Sequence, residues 1–213
     1  MTYPLLIALA SVLMLSAFLM GSRTRLHSLI ALFRLQSLLM AATLVAAVVL
    51  LNQPDLLPMA ILIFALKVVL IPVLLTRVAR KTNISGRLPT FLRPTTMSFV
   101  AALAVGLACF LALRFPFEGK TFLVCAALML LLIGFELLIV HKNLFGQGIG
   151  FLVLENGISF LSFALGSGMP FFVEIGVLFD LLALMVLATA LIARAHLLHH
   201  SVATEYMETL KDL

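Results

Sequence analysis

The stretch 60–75, AILIFALKVVLIPVLL, sets a single lysine, Lys67, within a run that is long and apolar enough to cross a bilayer once its flanks are included. Two further stretches repeat the pattern with a carboxylate: FLVLENGISFLSFAL (151–165) carries Glu155, and EIGVLFDLLALMVLA (174–188) carries Asp180. An ionised side chain near the middle of a membrane helix costs about 2.5–3.5 kcal/mol on insertion scales, so it persists where it has a partner, a water-filled path or both. These positions read as a chain that holds or moves charge inside a membrane.

The rest of the composition points the same way. Of 213 residues, 63% are hydrophobic and 11% charged, and the mean hydropathy is +1.23. Apolar runs of about 17–25 residues fall at 4–20, 28–51, 58–76, 97–113, 121–140, 149–167 and 171–193. They predict an all-α integral membrane protein of seven transmembrane helices forming one membrane domain. Beyond the last run, Leu198, Val202, Tyr206 and Leu210 recur every four residues, as in a short amphipathic helix lying on the cytoplasmic surface over 194–213. The first run has neither a basic stretch before it nor a small-residue cleavage site after it, and reads as a span rather than a cleaved leader.

Several function classes drop out. There is no P-loop, dinucleotide fingerprint, nucleophile elbow or metal-ligand spacing, and no loop is long enough for a soluble catalytic domain. No cofactor or metal is therefore expected, and redox chemistry would come from other subunits. His27 and His141 lie in loops or at run ends, and His196, His199 and His200 beyond the last run, which argues against a buried haem. Cys109 and Cys125 read as small core residues rather than a disulfide or a metal pair.

A net charge of +5 takes its meaning from placement rather than from nucleic acid, which is not an expected partner. In a seven-span arrangement ten basic residues share one side: Arg23, Arg25, Arg77, Arg80, Lys81, Arg87, Arg93, Lys142, Arg194 and Lys211. Arg114 and Lys120 occupy the other, and Arg34 and Lys67 lie within runs. The positive-inside rule then predicts a plasma-membrane protein with its N-terminus outside and its C-terminus cytoplasmic. The basic loop over 77–95 is a topology signal in contact with headgroups.

A weak internal repeat organises the polar positions. SRTRLHSLIALFRLQSLL from Ser22 aligns with HKNLFGQGIGFLVLENGI from His141, placing Gln36 over Glu155; the stretch from Ala60 aligns with that from Val173, placing Lys67 over Asp180. Runs one to three (4–76) are then duplicated in parallel as runs five to seven (121–193), with the basic loop and a spacer helix over 77–120. Glu155, Ser159, Ser162 and Gly166 are spaced to share one helix face, with Glu155 toward the cytoplasmic end of its run. Pro72 is expected to kink the helix one turn beyond Lys67 and free the Val68 carbonyl as a local acceptor. Glu136, a turn from the cytoplasmic end of its run, and Glu174 read as interfacial. Arg34 is expected to snorkel or to meet a carboxylate of a neighbouring subunit.

The segments RLQSLLMAATLVAAVVL, ALKVVLIPVLLTRVARK, GFLVLENGISFL and VEIGVLFDLLALMVLATALIAR together resemble hydrogenase-4 component E, a membrane subunit of formate hydrogenlyase-type hydrogenases. The last three runs are also similar to the K subunit of respiratory complex I and the C subunit of multisubunit cation/proton antiporters. The resemblance implies a non-catalytic subunit lying in the bilayer beside antiporter-like and anchor subunits, with Glu155 and Asp180 on the proton path. The chain departs from the K-subunit pattern in having aspartate as the second carboxylate, and Gln36 and Lys67 in the first copy. Two expectations follow: a proton-translocating subunit in which Lys67 tunes the carboxylates, or a structural adaptor whose charges are permanently paired. A subunit of a related antiporter complex is a further alternative.

Overall fold

The computed structural model describes residues 4–81, 86–114 and 120–166. Within them the chain is helical, with no strand beyond two isolated bridges. Six helices are long and apolar enough to cross a membrane: α1 (Pro4–Gly21), α2 (Leu26–Leu51), α3 (Pro54–Arg80), α4 (Pro94–Arg114), α5 (Thr121–Val140) and α6 (Leu144–Leu165). The seventh run, 171–193, and the tail over 194–213 lie outside the described residues.

Local chemistry sets the helix ends. α3 and α4 open on proline, whose missing N–H is no loss in a first turn. Asn52 and Gly166 close α2 and α6 in the left-handed conformation, at φ 55° and 69°. Asn143 caps α6, its Oδ1 accepting from Gly146 N at 2.9 Å. That cap starts α6 five residues before the predicted run, which corrects the position of Glu155. It is the twelfth residue of a 22-residue helix, at mid-depth rather than toward one end. Gly166, expected on the polar face, is instead the helix terminus.

α5 and α6 form the tightest pair. A methyl group added at Gly134 would lie 2.5 Å from Leu154 N, one at Gly150 2.6 Å from Leu138 N, and one at Gly157 2.7 Å from Leu131 N. Each of these glycines therefore lets one backbone approach the other directly, the small-residue packing that associates helices where lipid offers no hydrophobic contrast. α1 packs on α2 and on α5, α4 leans on α5, and α2 bridges α3 and α6. Phe33, Met40, Leu137 and Phe160 fill the centre.

Three connections meet at one end of the bundle. Leu88 N donates to Thr24 O at 2.7 Å, Phe91 N to Val140 O at 2.9 Å and Lys142 N to Pro89 O at 3.0 Å. The segment after α3 thus ties the α1–α2 turn to the α5–α6 turn. Arg23, Arg25, Arg87, Arg93 and Lys142 gather there, and Lys142 Nζ lies 4.7 Å above the Phe91 ring. Near the opposite end Cys109 and Cys125 are free thiols with their sulfurs 3.2 Å apart across α4 and α5. Sequence spacing showed two small core residues but not that they touch.

Candidate functional site: a buried ion pair between two helices

α3 is not uniform. Phe64–Leu70 is a π-helix between α-helical Leu57–Ile63 and Ile71–Lys81, and Ile71 N donates back to Leu66 O, five residues earlier. Pro72 explains it: proline has no N–H to donate, and its ring crowds the carbonyl one turn back, so a widened turn is less costly than a broken one. The widened turn carries Lys67.

Lys67 reaches out of its own helix. Its Nζ lies 2.6 Å from Glu155 Oε1 and donates to Asn156 Oδ1 at 3.0 Å; both side chains of the ion pair are 4% exposed. The expected acceptor was a carbonyl on its own helix, whereas the structure supplies a carboxylate from α6. Lys67 thus stands in direct contact with one of the two carboxylates on which it was expected to act. Asn156, noted in the sequence only as a neighbour of Glu155, completes the cradle. The ammonium orients that amide, since only its oxygen can accept from a lysine.

Two ions removed from water cost several kcal/mol each, and their attraction offsets this only where the geometry is close and the remaining lone pairs are satisfied. The 2.6 Å contact and the amide meet the first condition. The bundle also buries polar atoms that the described residues do not satisfy: Gln36 Nε2 and Oε1, Ser37 Oγ and Asn156 Nδ2 have no partner among those residues. Gln36 is the eleventh residue of α2 and Glu155 the twelfth of α6, and both helices start from the same end of the bundle, so they sit at matched depth. Ser159 and Ser162 are buried on the same helix as Glu155, and Ser162 Oγ returns its proton to Ile158 O at 3.1 Å.

Other candidates lie apart from this cluster. Glu136 was read as interfacial; it is 5% exposed, and both carboxylate oxygens lack a partner among the described residues. A methyl at Gly21 would sit 3.1 Å from Glu136 Oε2 and 2.9 Å from Ala101 Cβ, so the carboxylate occupies room left by small residues of α1 and α4. Arg34 is exposed on the outside of α2. His141 is fully buried at the α5–α6 turn, its Nδ1 3.0 Å from Leu137 O and its ring stacked over Gly146. The carbonyl can only accept, so Nδ1 carries the proton. Burial pushes the imidazole below its ordinary value of 6.5, opposed by that backbone bond. Asp180, Glu174, His196, His199 and His200 lie outside the described residues. Among the described residues no three His, Cys, Asp or Glu side chains converge as a metal site would require.

Fold and site define a bundle of apolar helices enclosing a lysine–carboxylate pair, an arrangement compatible with a multi-pass membrane protein. Among known proteins the chain is similar to the uncharacterized protein Rv0085 of Mycobacterium tuberculosis, with 27% identity over 205 residues, covering 94% of this chain and 93% of that protein. No family model and no solved structure matches it.

Proposed function

We propose that this chain is a seven-span membrane subunit of a complex-I-like hydrogenase of the formate hydrogenlyase type, contributing to proton translocation while partner subunits evolve hydrogen. The observation that carries this reading is the buried pair of Lys67 and Glu155, 2.6 Å apart, on the one π-helical turn among the described residues. In a low-dielectric site each charge of such a pair is stabilised by the other, so neutralising one withdraws the stabilisation of its partner. A proton arriving on Glu155 opens the pair and leaves Lys67 to seek another anion; loss of that proton closes it again. Asp180, equivalent to Lys67 in the repeat, is the second carboxylate of the path. The matched depths of Gln36 and Glu155 support a parallel duplication, and the gathering of basic side chains at one end supports placing that end in the cytoplasm.

Isosteric neutral variants in the assembled complex test the reading. Glu155→Gln and Asp180→Asn keep shape and hydrogen bonding but remove proton exchange. Both are expected to assemble and evolve hydrogen from an artificial donor while translocating fewer protons into sealed vesicles. Wild-type pumping by both variants would leave the adaptor reading in its place, which the short, buried geometry of the pair favours as the alternative.

A further inference from the structure

The outer face of the π-helical turn lines a groove. Between α2 and α3 a cavity of about 560 Å³ opens sideways from the bundle. Its walls are graded in polarity along the helix axis. Toward the basic end stand His27, near the start of α2, and Thr76, in the last turns of α3; Arg34 follows two turns below His27; deeper still the lining is Leu38, Val68 and Val69. His27 and Arg34 are seven residues apart and so lie on one face of α2. The Cα–Cβ bonds of α2 tilt toward its N-terminus, which aims the long Arg34 side chain toward the basic end.

No carboxylate among the described residues pairs with Arg34. A guanidinium at membrane depth, facing outward and always charged, draws an anion to itself. From this charge, the graded lining and the sideways opening we infer that the α2–α3 groove is a binding site for one anionic phospholipid, its phosphate held by Arg34 and His27 and an acyl chain lying along Leu38, Val68 and Val69. An amphiphile fits the gradient end to end: polar groups where headgroups lie, apolar groups below. An acidic side chain on a partner protein would satisfy Arg34 alone and leave the apolar floor without a purpose. The inference rests on the membrane reading and adds a ligand to it. Val68 and Val69 adjoin Lys67 on the same widened turn, so the bound lipid braces the helix segment that holds the ion pair.

The full-length protein, reconstituted in vesicles of equal phosphatidylglycerol and phosphatidylcholine with matched acyl chains and then extracted gently, is examined by native mass spectrometry. Wild type is expected to retain one phosphatidylglycerol in preference to phosphatidylcholine by about tenfold, the scale of one charge-assisted contact. Arg34→Gln abolishes the preference, Arg34→Lys keeps most of it, and Val69→Trp, which fills the groove floor, lowers retention of both lipids. Equal retention of the two lipids by wild type overturns the inference, and so does a preference that survives Arg34→Gln. Retention is read on resting protein without a proton gradient, so failure here is distinguishable from wild-type pumping by Glu155→Gln.

Discussion

α4 and α6 are helices of similar length and opposite fate. Over an 18-residue stretch of each, 22% of α4 is buried and 67% of α6. Yet α6 is the least apolar of the six helices, carrying Glu155, Asn156, Ser159, Ser162 and four glycines, whereas α4 turns Phe99, Leu103, Phe110 and Leu113 outward. In water the more apolar helix would go inside. In a bilayer apolar side chains lose nothing by facing lipid, so the interior is assigned to the helix with polar groups to satisfy and glycines that allow close approach.

The sharpest way to break this contrast is to remove one member of the ion pair. Lys67→Met takes the 2.6 Å counter-ion away from the buried Glu155, for which a loss of about 3–5 kcal/mol is expected. Adding Glu155→Leu should recover most of it, because an apolar pair needs no counter-ion. Unfolding midpoints in detergent for the two single variants and the double variant measure the coupling; additive losses would refute direct pairing.

A milder comparison places the same methyl group in both helices. Gly150→Ala forces a carbon to within 2.6 Å of the Leu138 backbone, and overpacking of that kind costs about 1–3 kcal/mol. At Gly106, on α4, nothing lies within 4 Å of the added carbon, so Gly106→Ala should stabilise by about 0.5–1 kcal/mol through the restricted unfolded chain. Opposite shifts in thermal midpoint are the expected result.

At the turn that closes the tight hairpin, His141 supplies a pH dependence. Its folded-state pKa is lowered by burial, so as pH falls below about 6.5 the unfolded chain binds a proton that the folded chain does not. Stability should be fully present above that value and decline on acidification, and the decline should flatten in His141→Asn, as followed by thermal unfolding between about pH 7.5 and 5.5. A slope identical in the two proteins would remove His141 as its cause.

The smallest effect concerns the contact between α4 and α5. With their sulfurs 3.2 Å apart, Cys109 and Cys125 should be joined by a mild copper-phenanthroline oxidant, seen as loss of two hydrogens in the intact mass and protection from alkylation. Alkylation of both thiols after oxidation would mean that α4 sits elsewhere.

Why some of this was legible in sequence and some not can be followed residue by residue. Lys67 and Glu155 stood out because an ionisable group in an apolar run is expensive wherever the helix packs. Pro72 marked a distortion, but not that it would take the form of a widened turn aiming Lys67 at α6. That Glu136 is covered was not legible, because distance from a helix end says nothing about which neighbours pack on a side chain; Gly21 and Ala101, remote in sequence, decide that. The start of α6 was set too late because Gly146, Gln147 and Gly148 interrupt the apolar run when the Asn143 cap is not weighed.

By itself the sequence determined the membrane-length helices, the end of the bundle that gathers positive charge, and the presence of buried ions that must be answered. Each follows from a local quantity: the run of apolar residues, the count of basic side chains between runs, the transfer cost of a charge. Only the tertiary structure decided that Lys67 answers Glu155, that Asn156 joins them, that Cys109 meets Cys125 and that Arg34 faces a groove. Those are distances between residues on different helices, set by where glycines let backbones close and where a proline widens a turn.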